Sequence, residues 1–265
     1  MRFSVVVPVY NEAGNILPLI EEMRLALTRA GDYEVLVVDD GSDDATARIL
    51  AGARGRYSRL RVLRHEHRSG QSAALLSGVR AAYTDLVVTL DGDGQNDPLD
   101  ISRLLDTYQA AGDPNLLVAG QRTERRDGIE KRWSSRIANA VRGRLLGDET
   151  PDTGCGIKVF SRDLYLSLPT FDHMHRFLPA LVKSAGGRVQ SIPVNHRARM
   201  RGRSKYGIHN RLWAGLLDLF GVMWLQRRAE TPAAAPDNVW QRLYEQAGRH
   251  WLTWRAFHAD ALEDY

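Results

Sequence analysis

Short β-branched and apolar runs alternate along the first hundred residues with stretches whose apolar positions recur every three or four residues, the pattern of strands alternating with helices. Ser4 to Val7 reads as a strand ended by Pro8. Asn11-Glu12-Ala13-Gly14-Asn15 then leads into a helical face of Ile16, Leu17, Leu19, Ile20, Met23 and Leu27. Glu34 to Val38 is a second strand, Asp39 to Asp44 a polar turn, and Ala45 to Ala53 a second helix. The unit repeats with a strand at Leu60 to Arg64, a helix at Ser72 to Tyr83 and a strand at Leu86 to Leu90. Alternation of this kind predicts an α/β fold, a mostly parallel sheet flanked by helices, with ligands gathered at the carboxyl ends of the strands. The polar loops Pro8 to Glu12, Asp39 to Asp44 and Asp91 to Pro98 should therefore open on one crevice.

Further along, Leu116 to Ala119 and Gly156 to Phe160 read as strands and Glu130 to Leu146 as a basic helix. Leu212 to Leu225 is apolar but holds Asp218, is followed by Arg227-Arg228, and at 14 residues is shorter than the ~20 needed to span a bilayer. It is expected to lie on a membrane or in the core. Thr231 to Pro236 is Ala/Pro-rich and linker-like, and Trp240, Leu243, Tyr244, Trp251, Trp254, Phe257 and Leu262 give the tail an amphipathic helical spacing. The expected division is a main domain over 1–225, in halves 1–98 and 99–211 with an interfacial helix at 208–228, then a linker at 229–237 and a helical tail at 238–265.

The chemistry concentrates in Asp91-Gly92-Asp93-Gly94-Gln95, where a buried strand runs out. Read as extended backbone, Asp91, Asp93 and Gln95 share one side, because side chains repeat with period two. Three hard oxygens suit Mg²⁺ or Mn²⁺, ions that share their shell with substrate phosphates. A bare Asx/Gly turn is the alternative. Neither G-x-G-x-x-G after the first strand nor G-x-x-x-x-G-K-[ST] anywhere is present, so phosphate must be held otherwise.

Charge sharpens this. The formal net charge is +4 and the sequence pI about 9.3, but Arg122 to Arg144 carries eight basic residues against three acids, and Arg188 to Arg211 seven basic residues and no acid. Basic segments after an acidic metal motif point to an anionic second substrate or an anionic surface, with solvated basic faces as the alternative; no nucleic-acid partner is expected. The single Cys155 excludes a disulfide framework and a cysteine zinc site. His65, His67, His173 and His175 form i, i+2 pairs with no thiolate or H-E-x-x-H context, and read as structural. The start of the chain shows no leader pattern, and a cytoplasmic location is expected.

Ser4-Val5-Val6-Val7-Pro8-Val9-Tyr10-Asn11-Glu12, Val37-Val38-Asp39-Asp40-Gly41-Ser42 and Asp91-Gly92-Asp93-Gly94-Gln95, in that order, resemble the family 2 inverting glycosyltransferases of GT-A fold. Gly120-Gln121-Arg122, Asp152-Thr153-Gly154-Cys155-Gly156-Ile157-Lys158 and Gly202-Arg203-Ser204-Lys205-Tyr206-Gly207 narrow the resemblance to the polyprenyl-phosphate branch, like dolichyl-phosphate mannosyltransferase, over about residues 1–225. The resemblance implies a hexose donor carried on a nucleotide diphosphate, GDP-mannose or a UDP-hexose, and a polyprenyl phosphate acceptor. It also implies that Pro8, Tyr10, Glu12, Asp40 and Asp91 line the nucleotide pocket, and that Asp91, Asp93 and Gln95 hold Mg²⁺ or Mn²⁺. Asp93, Arg122 and Lys205 would be the catalytic groups, with Arg122, Arg136, Ser204 and Lys205 around the acceptor phosphate.

Such an acceptor oxygen is already anionic, so no perturbed general base is needed; planar cationic forks are. Many members of the branch continue into transmembrane helices. Here membrane access is expected from the basic and aromatic surface, at the inner face of the membrane, or from a membrane-protein partner or a second copy of the chain. The alternatives from sequence are a different lipid or saccharide acceptor, a nucleotidyltransferase, and a silent nucleotide-binding module.

Overall fold

The computed structural model describes residues 1–122, 143, 145–148, 150–197 and 208–228. The expected helix at 130–146 falls almost wholly outside these residues, and the linker and tail fall entirely outside. Residue contacts divide the chain at Ala229/Glu230.

Seven strands, β1 (Arg2–Val9), β2 (Asp32–Asp39), β3 (Leu60–Arg64), β4 (Leu86–Thr89), β5 (Leu116–Arg122), β6 (Lys158–Ser161) and β7 (Arg188–Val194), form one sheet in the order β3-β2-β1-β4-β6-β5-β7. Helices α1 (Ile16–Ala26), α2 (Thr46–Arg54), α3 (Gln71–Ala81), α4 (Asp100–Ala111), α5 (Arg162–Ser167), α6 (Leu178–Ser184) and α7 (Ile208–Arg228) accompany it. The pairs β1/β2, β1/β4, β2/β3 and β5/β7 are parallel. β6 runs against both β4 and β5.

Alternation along β1 builds two cores at once. Val5, Val7 and Val9 turn toward Ile16, Leu19 and Met23 of α1 and Ile101 and Leu104 of α4. Val6 turns the other way, onto Ala74, Leu75 and Val79 of α3 in a second cluster that also takes in Phe160, Leu181, Leu219 and Val222. A side chain on Gly78 would run into Val6 and come within 3.1 Å of Val38, so α3 lies this close to the sheet only because position 78 has none.

Two of the differences from the sequence reading involve proline. β1 continues through Pro8 to Val9. Leu90 donates its N–H to Val6 O, so in the two-residue alternation Pro8 also faces β4, whose pairing with β1 stops at Val6. Proline's missing donor falls where no partner strand remains. β7, read only as part of a basic segment, is an edge strand whose Arg188 donates to Asn115 O; Pro193, five residues on, turns away from β5, where it costs no ladder bond.

Strand direction places the chemistry. β1, β2, β4, β5 and β7 all end at one sheet edge, and the reversal of β6 brings its first residues and the loop before it to that same edge.

Candidate active site

The loops after β1 and β2 are stitched together. Asn11, at a left-handed φ of 55°, donates its N–H to Ser42 Oγ at 2.9 Å and exchanges side-chain bonds with Asp43. Glu12 donates its N–H to Thr46 Oγ1 at 2.9 Å and accepts from Asn15 Nδ2 at 2.6 Å. Tyr10 lies under the Arg68 guanidinium, 4.4 Å from the ring centroid, a cation on an aromatic face. Pro8 is buried in the sheet.

The two aspartates ending β2 differ. Asp40, buried, accepts from Ser69 N and Gly70 N at 2.8 Å each and bonds His65 Nδ1 at 2.8 Å. Its carboxylate ties the loop after β3 to the end of β2. Asp39, fully buried, accepts from Ser42 N at 3.0 Å through Oδ1, while Oδ2 has no hydrogen-bond partner among the described residues and only the Arg64 guanidinium 3.6 Å away. A buried carboxylate oxygen without a bond is costly, which marks Asp39 as a group sequence reasoning passed over; the Asp39-Asp40 doublet at a strand end was the available signal.

After β4 the backbone does not stay extended. Residues 92–94 turn, with Gly94 at φ +74°, and Asp93 Oδ1 accepts from Gln95 N at 3.1 Å. The period-two argument for Asp91, Asp93 and Gln95 is thus corrected: a turn, not strand alternation, sets their arrangement. Gln95 Nε2 reaches Arg197 O at 3.4 Å and His196 Nε2 at 3.5 Å. Asp91 accepts from Gln71 Nε2 at 2.9 Å. A Cβ on Gly156 would collide with the Asp91 carboxylate, so that glycine is the wall against which Asp91 rests.

Arg122 ends β5 and clasps Asp152 in a bidentate pair, Nε to Oδ2 at 2.6 Å and Nη2 to Oδ1 at 2.7 Å. That pair uses two of the five guanidinium N–H groups. Lys158, buried at the head of β6 between Thr89 and Ala119, donates to Cys155 O. Burial pulls its ammonium down from the usual lysine range, against the charges of Cys155, Asp91 and Asp152. The sequence reading quoted Lys158 within a motif and gave it no role. Arg136, Ser204 and Lys205 lie outside the described residues.

Asp91 is pushed up to about 6, first by burial and then by the negative charge of Asp93, against the pull of Lys158, Arg122 and Gln71. Two carboxylates close enough to repel, at the edge of a buried wall, form a site that a divalent cation would relieve. The donor set is hard oxygen, which fits Mg²⁺ or Mn²⁺.

The glycosyl transferase family 2 model matches residues 4–168, more than half of the chain. The chain belongs to that family. It is similar to the dodecaprenyl-phosphate galacturonate synthase of Rhizobium johnstonii, 36% identical over 239 residues covering 88% of this chain and 69% of that protein. It is also similar to the undecaprenyl-phosphate 4-deoxy-4-formamido-L-arabinose transferase of Edwardsiella ictaluri, 36% identical over 208 residues covering 77% and 63%. The chain thus spans about two thirds of the length of these relatives. Among solved structures, glucosyl-3-phosphoglycerate synthase of Mycobacterium tuberculosis with phosphoglyceric acid superposes with a TM-score of 0.62 at 24% identity, covering 84% of this chain and 79% of that one. The same enzyme with Mg²⁺ and uridine diphosphate gives a TM-score of 0.62 at 23% identity, covering 84% and 78%. The GT-A fold expected from sequence is the fold observed, and membership of the family makes the chain a glycosyltransferase.

Proposed function

We propose that the chain transfers a hexose or related sugar, with inversion, from a nucleotide diphosphate sugar to a polyprenyl phosphate at the cytoplasmic face of a membrane. The observation that carries this reading is the Asp91–Asp93 carboxylate pair, walled by Gly156 and flanked by the Arg122–Asp152 pair. The names of the two relatives supply the acceptor class.

In this reading Asp91 and Asp93, with Gln95, would hold Mg²⁺ or Mn²⁺, which when bound supplies positive charge opposite the departing diphosphate. Tyr10, Pro8 and Glu12 frame the nucleotide. Asp39 Oδ2 is the acceptor for a base N–H or a ribose hydroxyl, and Asp40 acts one step back by holding the loop of Ser69 and Gly70. Arg122, oriented by Asp152, faces the acceptor phosphate with its remaining donors. Arg136, Ser204 and Lys205 complete that subsite. The acceptor oxygen carries its own negative charge, so the residues need only orient it in line with the anomeric carbon and exclude water.

Membrane approach is assigned to α7. Leu217, Phe220 and Trp224 are 72, 65 and 58% exposed, one turn or so apart, and Arg227 and Arg228 follow them. Apolar side chains beside basic ones suit an anionic interface. Among the described residues, no helix is long and apolar enough to cross a membrane.

The test is calorimetric titration with UDP and with GDP, each with Mn²⁺ and with chelator, followed by transfer assays on undecaprenyl phosphate. Metal-dependent binding of one nucleotide, lost in Asp91→Ala, together with lipid-linked product is the expected outcome. Binding without any lipid product would move the acceptor to a saccharide or another lipid. No binding of either nucleotide would refute the reading.

A further inference from the structure

The segment leaving β7 is fastened to the loop after β4 more tightly than chain geometry requires. Asn195 donates its N–H to Asp100 Oδ2 at 2.7 Å. His196 pairs with Asn96 as an isolated bridge, and Arg197 donates its N–H to Gln95 O at 2.8 Å. The Arg197 side chain then spans two elements, with Nη1 2.6 Å from Glu22 Oε2 on α1 and Nη2 2.7 Å from Asp97 Oδ1 on the loop. Asp97 is largely buried, and its side chain also caps Leu99 N at 3.0 Å.

The consequence falls on Gln95. Its amide nitrogen is the atom that can donate to Arg197 O, 3.4 Å away. His196 Nε2 lies 3.5 Å from the same nitrogen, so both of its N–H groups have a partner within reach and the oxygen is what Gln95 has left to offer. A carboxamide that presents its oxygen suits a hard cation; one that presents its NH₂ repels it. Supports one step removed from a metal fix its ligands' orientation, and their loss commonly lowers metal affinity 10- to 100-fold.

We infer that Arg197 is a positioning residue for the metal loop: its two ion pairs lock the 195–197 segment against Gln95–Asp97, so that Gln95 turns its amide oxygen outward. The inference rests on the functional reading given above, since it presupposes a cation at Asp91 and Asp93. Arg197 touches neither substrate nor cation in this scheme.

The experiment measures Mn²⁺ affinity of the full chain in the presence of UDP and of GDP, following the electron spin resonance of free Mn²⁺, alongside thermal melting without metal. Arg197→Ala is expected to bind Mn²⁺ about 10- to 100-fold more weakly while melting within a few degrees of the wild type. Arg197→Lys, which keeps the charge but puts one ammonium in place of the two nitrogens that reach Glu22 and Asp97, should fall between the two. A Glu22→Gln/Asp97→Asn double variant should weaken Mn²⁺ binding in the same direction with Arg197 intact, and supplies the comparison should Arg197→Ala fail to fold. Wild-type Mn²⁺ affinity in a folded Arg197→Ala protein, or in the double variant, overturns the inference alone. Failure of the wild type to bind Mn²⁺ with either nucleotide overturns the functional reading beneath it.

Discussion

The Asp91 carboxylate occupies the space that a side chain on Gly156 would fill. The two residues come from different halves of the chain, one just after β4 and one just before β6, and they meet because β4 and β6 run in opposite directions. Gly156→Ala should therefore displace Asp91. The expected result is a stability loss of about 1–3 kcal/mol, as for other overpacked sites, with at least a tenfold drop in Mn²⁺ affinity by titration. Gly154→Ala is the comparison for Mn²⁺ affinity, because its Cβ would meet Arg122 Nη2 at 3.2 Å and Asp152 Oδ1 at 3.8 Å, and not Asp91.

Asp93→Ala should fold normally and lose transfer. Its Oδ1 bond to Gln95 N is a turn contact whose loss costs about 1 kcal/mol, whereas on the proposed reading the substitution also removes a ligand of the cation that would stand opposite the leaving group. Unchanged turnover at ordinary metal concentrations would falsify the metal assignment.

Lys158→Met removes a buried cation from the neighbourhood of Asp91 and Asp152. On the proposed reading a like charge has then been taken away from beside the cation, and Mn²⁺ should bind more tightly, by roughly tenfold or about 1.4 kcal/mol. Equal or weaker Mn²⁺ binding in the variant would show that Lys158 serves packing alone.

Asp152→Asn leaves Arg122, itself mostly buried, without its counter-charge. Breaking such a pair from one side typically costs about 3–5 kcal/mol when fully buried, and about 2 kcal/mol is expected here because Arg122 retains some solvent. Urea midpoints with unchanged slope measure it. Acceptor KM should rise more than the nucleotide dissociation constant, because the guanidinium loses the partner that aims it.

Acid stability should carry the mark of His175. Burial, then the charges of Arg176, Lys158 and His173, lower it to about 3, and its Nδ1 lies 2.8 Å from Ser72 Oγ. The unfolded chain takes up this proton near 6.5 and the folded chain does not, so the contribution is complete above pH 6.5 and is lost as pH falls toward 3. Between pH 7 and pH 4.5 the wild type should lose about 2 kcal/mol from this group. His175→Gln should flatten that limb in paired urea titrations.

The repeat of strand, loop and helix over the first ninety residues was legible because β1, β2 and β4 are buried on both faces and carry mainly apolar runs, while the partly buried edge strand β3 was legible from Leu60, Val62 and Leu63 and from its place in the repeat. β7 was not, since an edge strand is half solvated and its burial along Arg188–Val194 is irregular. The metal motif was legible as composition, Asp91, Gly92 and Asp93 at a strand end, but not as geometry, because a glycine-containing turn leaves no periodicity. Asp39 and Asp40 were indistinguishable by type; their hydrogen bonds separate them, Asp40 being held by Ser69, Gly70 and His65 and Asp39 by Ser42. Lys158 stayed hidden because a lysine inside a strand gives no sign, from sequence, of which charges it will lie beside.

The reversal of β6 has a practical consequence. Among the described residues, the groups of the proposed site lie at one edge, and the opposite edge carries the connections at 55–59, 82–85, 112–115 and 185–187. A fluorophore, an affinity handle or a surface-coupling cysteine placed at one of those connections would report on the enzyme, or tether it to a surface, while leaving the proposed working edge open.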